Sequence, residues 1–212
     1  MTHPHCSSWN LLTILLVERV ANHDSCLSIP PRGSTLIAVV LGIGTQNYTC
    51  SSPSATPTPN GALAVLYDIS CPVVTSPRAA HHLSALALKT GAPTPSIKRI
   101  GNHYFTPDAA VFEFSLNRKS FKFVGTRREN ITAPHDAVKG SVDWLILETV
   151  TGLESQSWDP KVGKSLFALK ATQFLTSIQW MYRVFTAGGK APDTCKGLQK
   201  EHTVNYATEY CE

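Results

Sequence analysis

WMYRVFTAGGKAPDTC, residues 180–195, is the stretch whose reading decides the fold. Trp180, Tyr182 and Val184 alternate with Met181, Arg183 and Phe185, a period of two in aromatic and β-branched residues that reads as a β-strand with one face buried. Gly188 and Gly189 permit the positive φ of a tight turn, and Pro192, with no N–H to give, ends any ladder before Cys195. The expectation is a central strand whose tail is pinned by a cysteine.

Other segments of the same kind lie on either side of it. Residues 36–41 (LIAVVL) are a continuous apolar run of strand length, and residues 62–67 (ALAVLY) follow the turn signal Asn60-Gly61. Residues 111–116 (VFEFSL) set Phe112, Phe114 and Leu116 on one face and Glu113 and Ser115 on the other; residues 117–120 then turn the chain into residues 121–124 (FKFV), a hairpin. Residues 142–149 (VDWLILET) are apolar enough to be covered on both faces, and Val204, Tyr206, Thr208 and Tyr210 share one side of a last strand. Residues 81–89 (HHLSALALK) fit a short helix or a strand equally well. Seven or eight strands with little helix give an all-β fold, a single-domain β-sandwich or β-barrel with long Pro-rich loops, stapled by disulfides.

Composition agrees. The 212 residues are 42% hydrophobic and 16% charged, with 14 Pro and 13 Gly, which excludes a disordered chain and suits a turn-rich β domain. The net charge of +4 comes from scattered pairs such as Arg127-Arg128, a solvated surface rather than a nucleic-acid face. No apolar run is long enough for a membrane-spanning helix.

Cys6, Cys26, Cys50, Cys71, Cys195 and Cys211 form no C-x-x-C pair and lack zinc-ligand spacing to His, so disulfides are the better account and no metal is expected. A Cys50–Cys71 bond would clip two neighbouring strands around the Pro-rich loop 51–60, worth roughly 3 kcal/mol by the chain-entropy estimate. Glycosylation acceptors at Asn47 and Asn130 point the same way, toward an oxidising secretory route and an extracellular protein. Residues 11–17 (LLTILLV) resemble a short signal-peptide core but lack a basic residue before them. Residues 1–25 are accordingly read as an irregular leader, a defective signal or a mis-assigned start, ahead of an all-β domain over 26–212.

Nucleotide and catalytic motifs fail one by one. Gly42-x-Gly44 follows a strand, but Asn47 stands where the third glycine belongs and the prolines of residues 51–60 preclude a following helix, so no cofactor is expected and the glycines bend or bulge a strand. Gly163-Lys164-Ser165 ends like a phosphate loop, yet Trp158 occupies the first glycine position. There is no G-x-S-x-G or H-E-x-x-H, so no residue is assigned a catalytic role. Residues 162–179 break the strand pattern; they read either as an insertion or as a retained in-frame intron of 18 codons bounded by Val-Gly and Gln.

Binding candidates are few. His103 sits between Gly101 and the aromatics Tyr104 and Phe105, an arrangement that can line a pocket; the alternative is a buried structural histidine. Asp143 beside Trp144 could pair a carboxylate with a stacking ring on a sugar surface, or be an edge aspartate next to a core tryptophan. Gln46 and Tyr48 carry the same two readings.

The blocks GIGTQNYTC (42–50), GALAVLYDISC (61–71), GNHYF (101–105), VDWLILE (142–148) and YRVFTAGGKAPDTC (182–195) resemble, in that order, a secreted family of filamentous fungi and some bacteria, domain of unknown function 3455. Its fungal members often carry an automatic malate dehydrogenase label. The resemblance implies export, an all-β fold and disulfides using Cys50, Cys71, Cys195 and a cysteine before the first strand, here Cys26. No catalytic residue carries over. The leader, residues 162–179 and the ending Tyr210-Cys211-Glu212 depart from the family pattern, and Cys6 and Cys211 fall within two of these regions. The dehydrogenase label finds no βαβ phosphate cradle here, and His135-Asp136 are adjacent residues that point apart on an extended chain. The expected function is therefore a secreted β domain that binds a cell-wall glycan or a host protein. The alternative, a hydrolase or lyase of unknown substrate, requires His103 within hydrogen-bonding reach of an Asp or Glu.

Overall fold

The computed structural model describes residues 27–76, 82–93, 96–150 and 178–211. Within them run β1 (Val39–Thr49), β2 (Thr58–Asp68), β3 (Arg99–Phe105), β4 (Ala110–Leu116), β5 (Lys119–Ile131), β6 (Trp144–Thr149), β7 (Trp180–Gly188) and β8 (Glu201–Cys211), with helices α1 (Ser70–Thr75) and α2 (Leu83–Thr90) between β2 and β3. The strands close in chain order into an antiparallel barrel. β1 and β8 zip along their whole length, from Val39 opposite Cys211 to Thr49 opposite Glu201. Closure decides between the two expected architectures in favour of the barrel and leaves no sheet edge open.

The two faces of the wall explain the sequence pattern. Val40, Leu66, Phe112, Phe114, Phe123, Leu147, Met181 and Tyr210 form the interior cluster, while Val39, Leu41, Ile146, Tyr182 and Val184 face outward, under Val73 of α1 and Ala87 of α2. Strands covered on both sides lose the apolar–polar alternation. That is why LIAVVL and WLIL read as continuous runs. On β4, away from α1 and α2, which pack mainly on β1, β7 and β8, Glu113 and Ser115 are exposed while Phe112 and Phe114 are buried.

Rings fill the inner half of the barrel. Tyr206, Tyr210, Phe112 and Phe123 are each less than 2% exposed, and the Phe112 ring meets Tyr210 and Phe123 edge-on at 4.8 and 6.0 Å. Eight strands enclose little more than one such layer, so the wall thins where rings press on it. A Cβ at Gly42 would lie 2.6 Å from Tyr210 Cε2, and one at Gly125 would lie 2.4 Å from Phe123 Cζ. Gly42 and Gly44 thus belong to an unbroken strand. Ala38 and Ile178, each just ahead of a strand, are buried in the same interior cluster.

Several local expectations change. Asn60-Gly61 is not a turn: it lies inside β2, where the pairing skips between Gln46–Ala62 and Tyr48–Pro59. Gly61, with φ of 106°, takes the extra residue as a bulge, and residues 50–57 make the reversal. Gly188 and Gly189 do have positive φ, 71° and 88°, but both stay in the sheet, opposite Tyr206 and Ser141, and the chain reverses later. Residues 83–90 are a helix, ended by Gly91 in the left-handed conformation. The hairpin forms as expected but with a tighter turn: only Asn117 and Arg118, both of positive φ, lie between paired Leu116 and Lys119, and Lys119 and Ser120 already belong to β5.

Cys50 bonds to Cys195 rather than to Cys71, which is itself disulfide-bonded. Barrel closure is the reason: Cys50 follows β1 and its N–H reaches Lys200 O at the start of β8, while the Cys195 N–H reaches Ala55 O. A separation of 145 residues raises the chain-entropy estimate to about 5 kcal/mol, an upper figure. Tyr210 and Cys211, at the divergent end of the chain, are seated in β8 and buried. The leader, Cys26 and most of residues 162–179 lie outside the described residues; of that segment, Ile178 is 2% exposed and its carbonyl accepts from Thr149 Oγ1 at 2.6 Å.

Replacing Cys50 and Cys195 together by Ser is expected to cost about 2–5 kcal/mol in guanidinium unfolding; a loss below about 0.5 kcal/mol would contradict this account. Gly42→Ala, which drives a methyl into the immobile Tyr210 ring, is expected to cost about 1–3 kcal/mol in the same assay.

Candidate functional site

β1, β3, β5 and β7 all end at the same rim of the barrel, so residues 50–57, 106–109, 132–143 and 189–200 form its mouth. The Cys50–Cys195 bond joins the first of these connections to the last. Above the aromatic layer the barrel opens into a cavity of about 690 Å³, within the range of small-ligand sites. Ala110, Leu145 and Leu147 line its inner wall, and Phe105, Pro59 and Pro107 its apolar rim. Phe105 is 48% exposed and touches the aromatic layer through His103, ring to ring at 5.2 Å.

The polar lining comes from inward-facing strand positions and from the connections at the rim. Arg183 shares the inner side of β7 with Met181; its Nε and Nη2 donate to the Asp143 carbonyl at 3.2 and 2.8 Å. Asn130 Nδ2 donates to Asp143 Oδ2 at 3.0 Å. Arg127 follows Phe123 and Gly125 at every second position of β5, and Lys190 comes just after β7; both are exposed on the cavity wall. Tyr48 is buried, which raises its pKa, and its hydroxyl donates to Gly189 O at 2.7 Å. Gln46 Nε2 is buried and has no hydrogen-bond partner among the described residues.

Of the six residues singled out from sequence, Gln46, Tyr48 and Asp143 meet in this cavity. His103 lies one layer further in, stacked on Phe112 at 3.9 Å, with Nδ1 2.9 Å from Val111 O. A carbonyl only accepts, so Nδ1 carries the proton. Tyr104 points outward, its hydroxyl donating to Glu113 Oε1 at 3.0 Å. Trp144 is 2% exposed in the outer cluster, its ring 5.0 Å from Phe185. Adjacent strand residues face opposite ways, and so Asp143 and Trp144 do not form one surface; the aromatics that share the cavity with Asp143 are Tyr48 and Phe105. Of the two sequons, Asn130 is the one in the cavity wall, while the Asn47 side chain takes a hydrogen bond from Thr45 Oγ1 at 3.1 Å.

Arg127, Arg183, Lys190 and Phe105 were missed. Arg183 left a signal, a lone charge within the apolar run of residues 180–185, in phase with an inward-facing residue. Phe185 left none: its φ of 48° at the bulge between Val184 and Ala187 turns it outward against the expected alternation.

Burial lowers the His103 pKa from 6.5 to about 4, the hydrogen bond to Val111 offsetting this only in part. The ring is therefore neutral in the folded barrel at ordinary pH.

The chain matches the family described as Protein of unknown function (DUF3455) over residues 30–211. Comparison with curated proteins and with solved structures finds no match.

The sign of the pH effect follows from His103. Above pH 6.5 the ring is neutral whether folded or not; below it the unfolded chain takes up a proton that the folded barrel refuses until about pH 4. Stability is expected to fall by about 3 kcal/mol across that window. His103→Asn, which keeps a donor near Nδ1 without titrating, is expected to remove that part of the slope in urea titrations at pH 4–7.

Proposed function

The chain belongs to the DUF3455 family, and from that starting point we propose that it is a secreted binding protein whose barrel mouth takes the end of a carbohydrate chain. The observation that carries this reading is the mouth cavity, where an exposed ring, Phe105, shares one opening with Gln46, Asn130 and Asp143. An aromatic face packs on the C–H side of a sugar ring while amides and carboxylates exchange hydrogen bonds with its hydroxyls. The packed layer of Phe112, Phe123, Tyr206 and Tyr210 beneath it leaves the site open to a chain end rather than to a deeply swallowed lipid. Secretion is supported by the Cys50–Cys195 disulfide, a bond that persists in oxidising compartments. Among the described residues, no helix is long and apolar enough to cross a membrane.

The hydrolase reading required a carboxylate on His103. That histidine instead gives its hydrogen bond to a backbone carbonyl among packed rings, the surroundings of a structural residue.

A glycan array probed with the full chain is expected to give signals on wall-type oligosaccharides. Phe105→Ala is expected to weaken them about fivefold, the worth of one stacking contact of about 1 kcal/mol. Binding that survives in Phe105→Ala and Asp143→Ala alike would place the site elsewhere.

A further inference from the structure

We propose that the occupant of the mouth is acidic: the carbohydrate end it takes carries a carboxylate, as a uronic acid does. The proposal rests on the mouth being a carbohydrate site and adds the charge of its ligand. Arg127, Arg183 and Lys190 line the cavity against two carboxylates, Asp108 and Asp143, an excess of one positive charge. The cations are not spent on those carboxylates. Arg183 bonds to the main-chain oxygen of Asp143 with Nε and Nη2, its Nη1 taking no partner among the described residues, while the Asp143 carboxylate is held by Asn130.

Arg127 and Lys190 make no ion pair or side-chain hydrogen bond among the described residues. Arg128, next in sequence but on the outer face, is satisfied: it lies 3.5 Å from Glu148 and 4.3 Å over the Trp180 ring. The barrel thus neutralises the arginine facing out and leaves those facing in open. On the same wall Gln46 Nε2 adds a buried donor that meets no acceptor among the described residues. A wall rich in unmet donors is complementary to an acceptor that arrives with the ligand. A single carboxylate matches the excess of one charge, whereas a doubly charged phosphate overshoots it, and a planar carboxylate suits the guanidinium fork.

The test is calorimetric titration of the full chain, at low salt, with a galacturonic acid trisaccharide, its methyl ester and a sulfated neutral trisaccharide. The acid is expected to bind at least about tenfold more tightly than the ester, and Arg127→Gln to remove most of that advantage, with Arg183→Gln doing the same. Arg127 is exposed, so its variant reads the effect even if Arg183→Gln fails to fold. Equal binding of acid and ester overturns the acidic assignment while the carbohydrate reading stands. Tighter binding of the sulfated sugar overturns the carboxylate, and binding of none of the three removes both readings.

Discussion

An eight-stranded barrel has an interior only wide enough for one filling, side chains or a small ligand, and this chain divides that space. Its inner half is occupied by Phe112, Phe123, Tyr206 and Tyr210, all almost fully buried. The buried Tyr206 and Tyr210 hydroxyls share one hydrogen bond at 3.1 Å, one donating to the other. Rings of this size fit because the wall gives way at glycines such as Gly42 and Gly125. The packing is therefore set by a pairing of large with absent side chains across the barrel, and enlarging either member strains both.

That division fixes where chemistry can occur. Above the rings, four connections and the Cys50–Cys195 bond define a rim around a cavity of about 690 Å³. Because the groups lining the cavity sit largely on strands, Arg183 on β7, Gln46 on β1 and Arg127 on β5, the site is held by the sheet ladder rather than by loops. Sites on rigid elements are pre-organised, so little ordering entropy is lost on binding. His103 contributes to that rigidity from the layer beneath, stacked on Phe112 and touching Phe105 at the rim.

The all-β fold was legible in local sequence because period-two patterns and paired turn residues are short-range signals. The VFEFSL strand and the Asn117-Arg118 turn carried their own instructions. Closure was not legible, since the β1–β8 ladder joins positions more than 150 residues apart and no local pattern encodes it. Misreading the Cys50 partner was the same failure, because Cys71 is near in sequence and Cys195 is near only in a closed barrel. Within the site, Gln46, Tyr48 and Asp143 could be picked out by residue type, but Trp144 could not be assigned a side until β6 was known to be covered on its outer face. Asn60-Gly61 shows the limit of turn chemistry: a glycine that permits positive φ serves a bulge as well as a reversal.

The account stands on the inner half being a solid plug and the mouth being the place of binding. Amide and side-chain chemical shifts, followed while a galacturonic acid trisaccharide is added to the isotopically labelled protein, test this most directly. The account predicts shifts clustered at Gln46, Gly61, Phe105, Arg127 and Arg183, fading through His103 to nothing at Ala38 and Ile178. Shifts centred instead on the helix-covered outer face, around Ala87 and Val184, would contradict it.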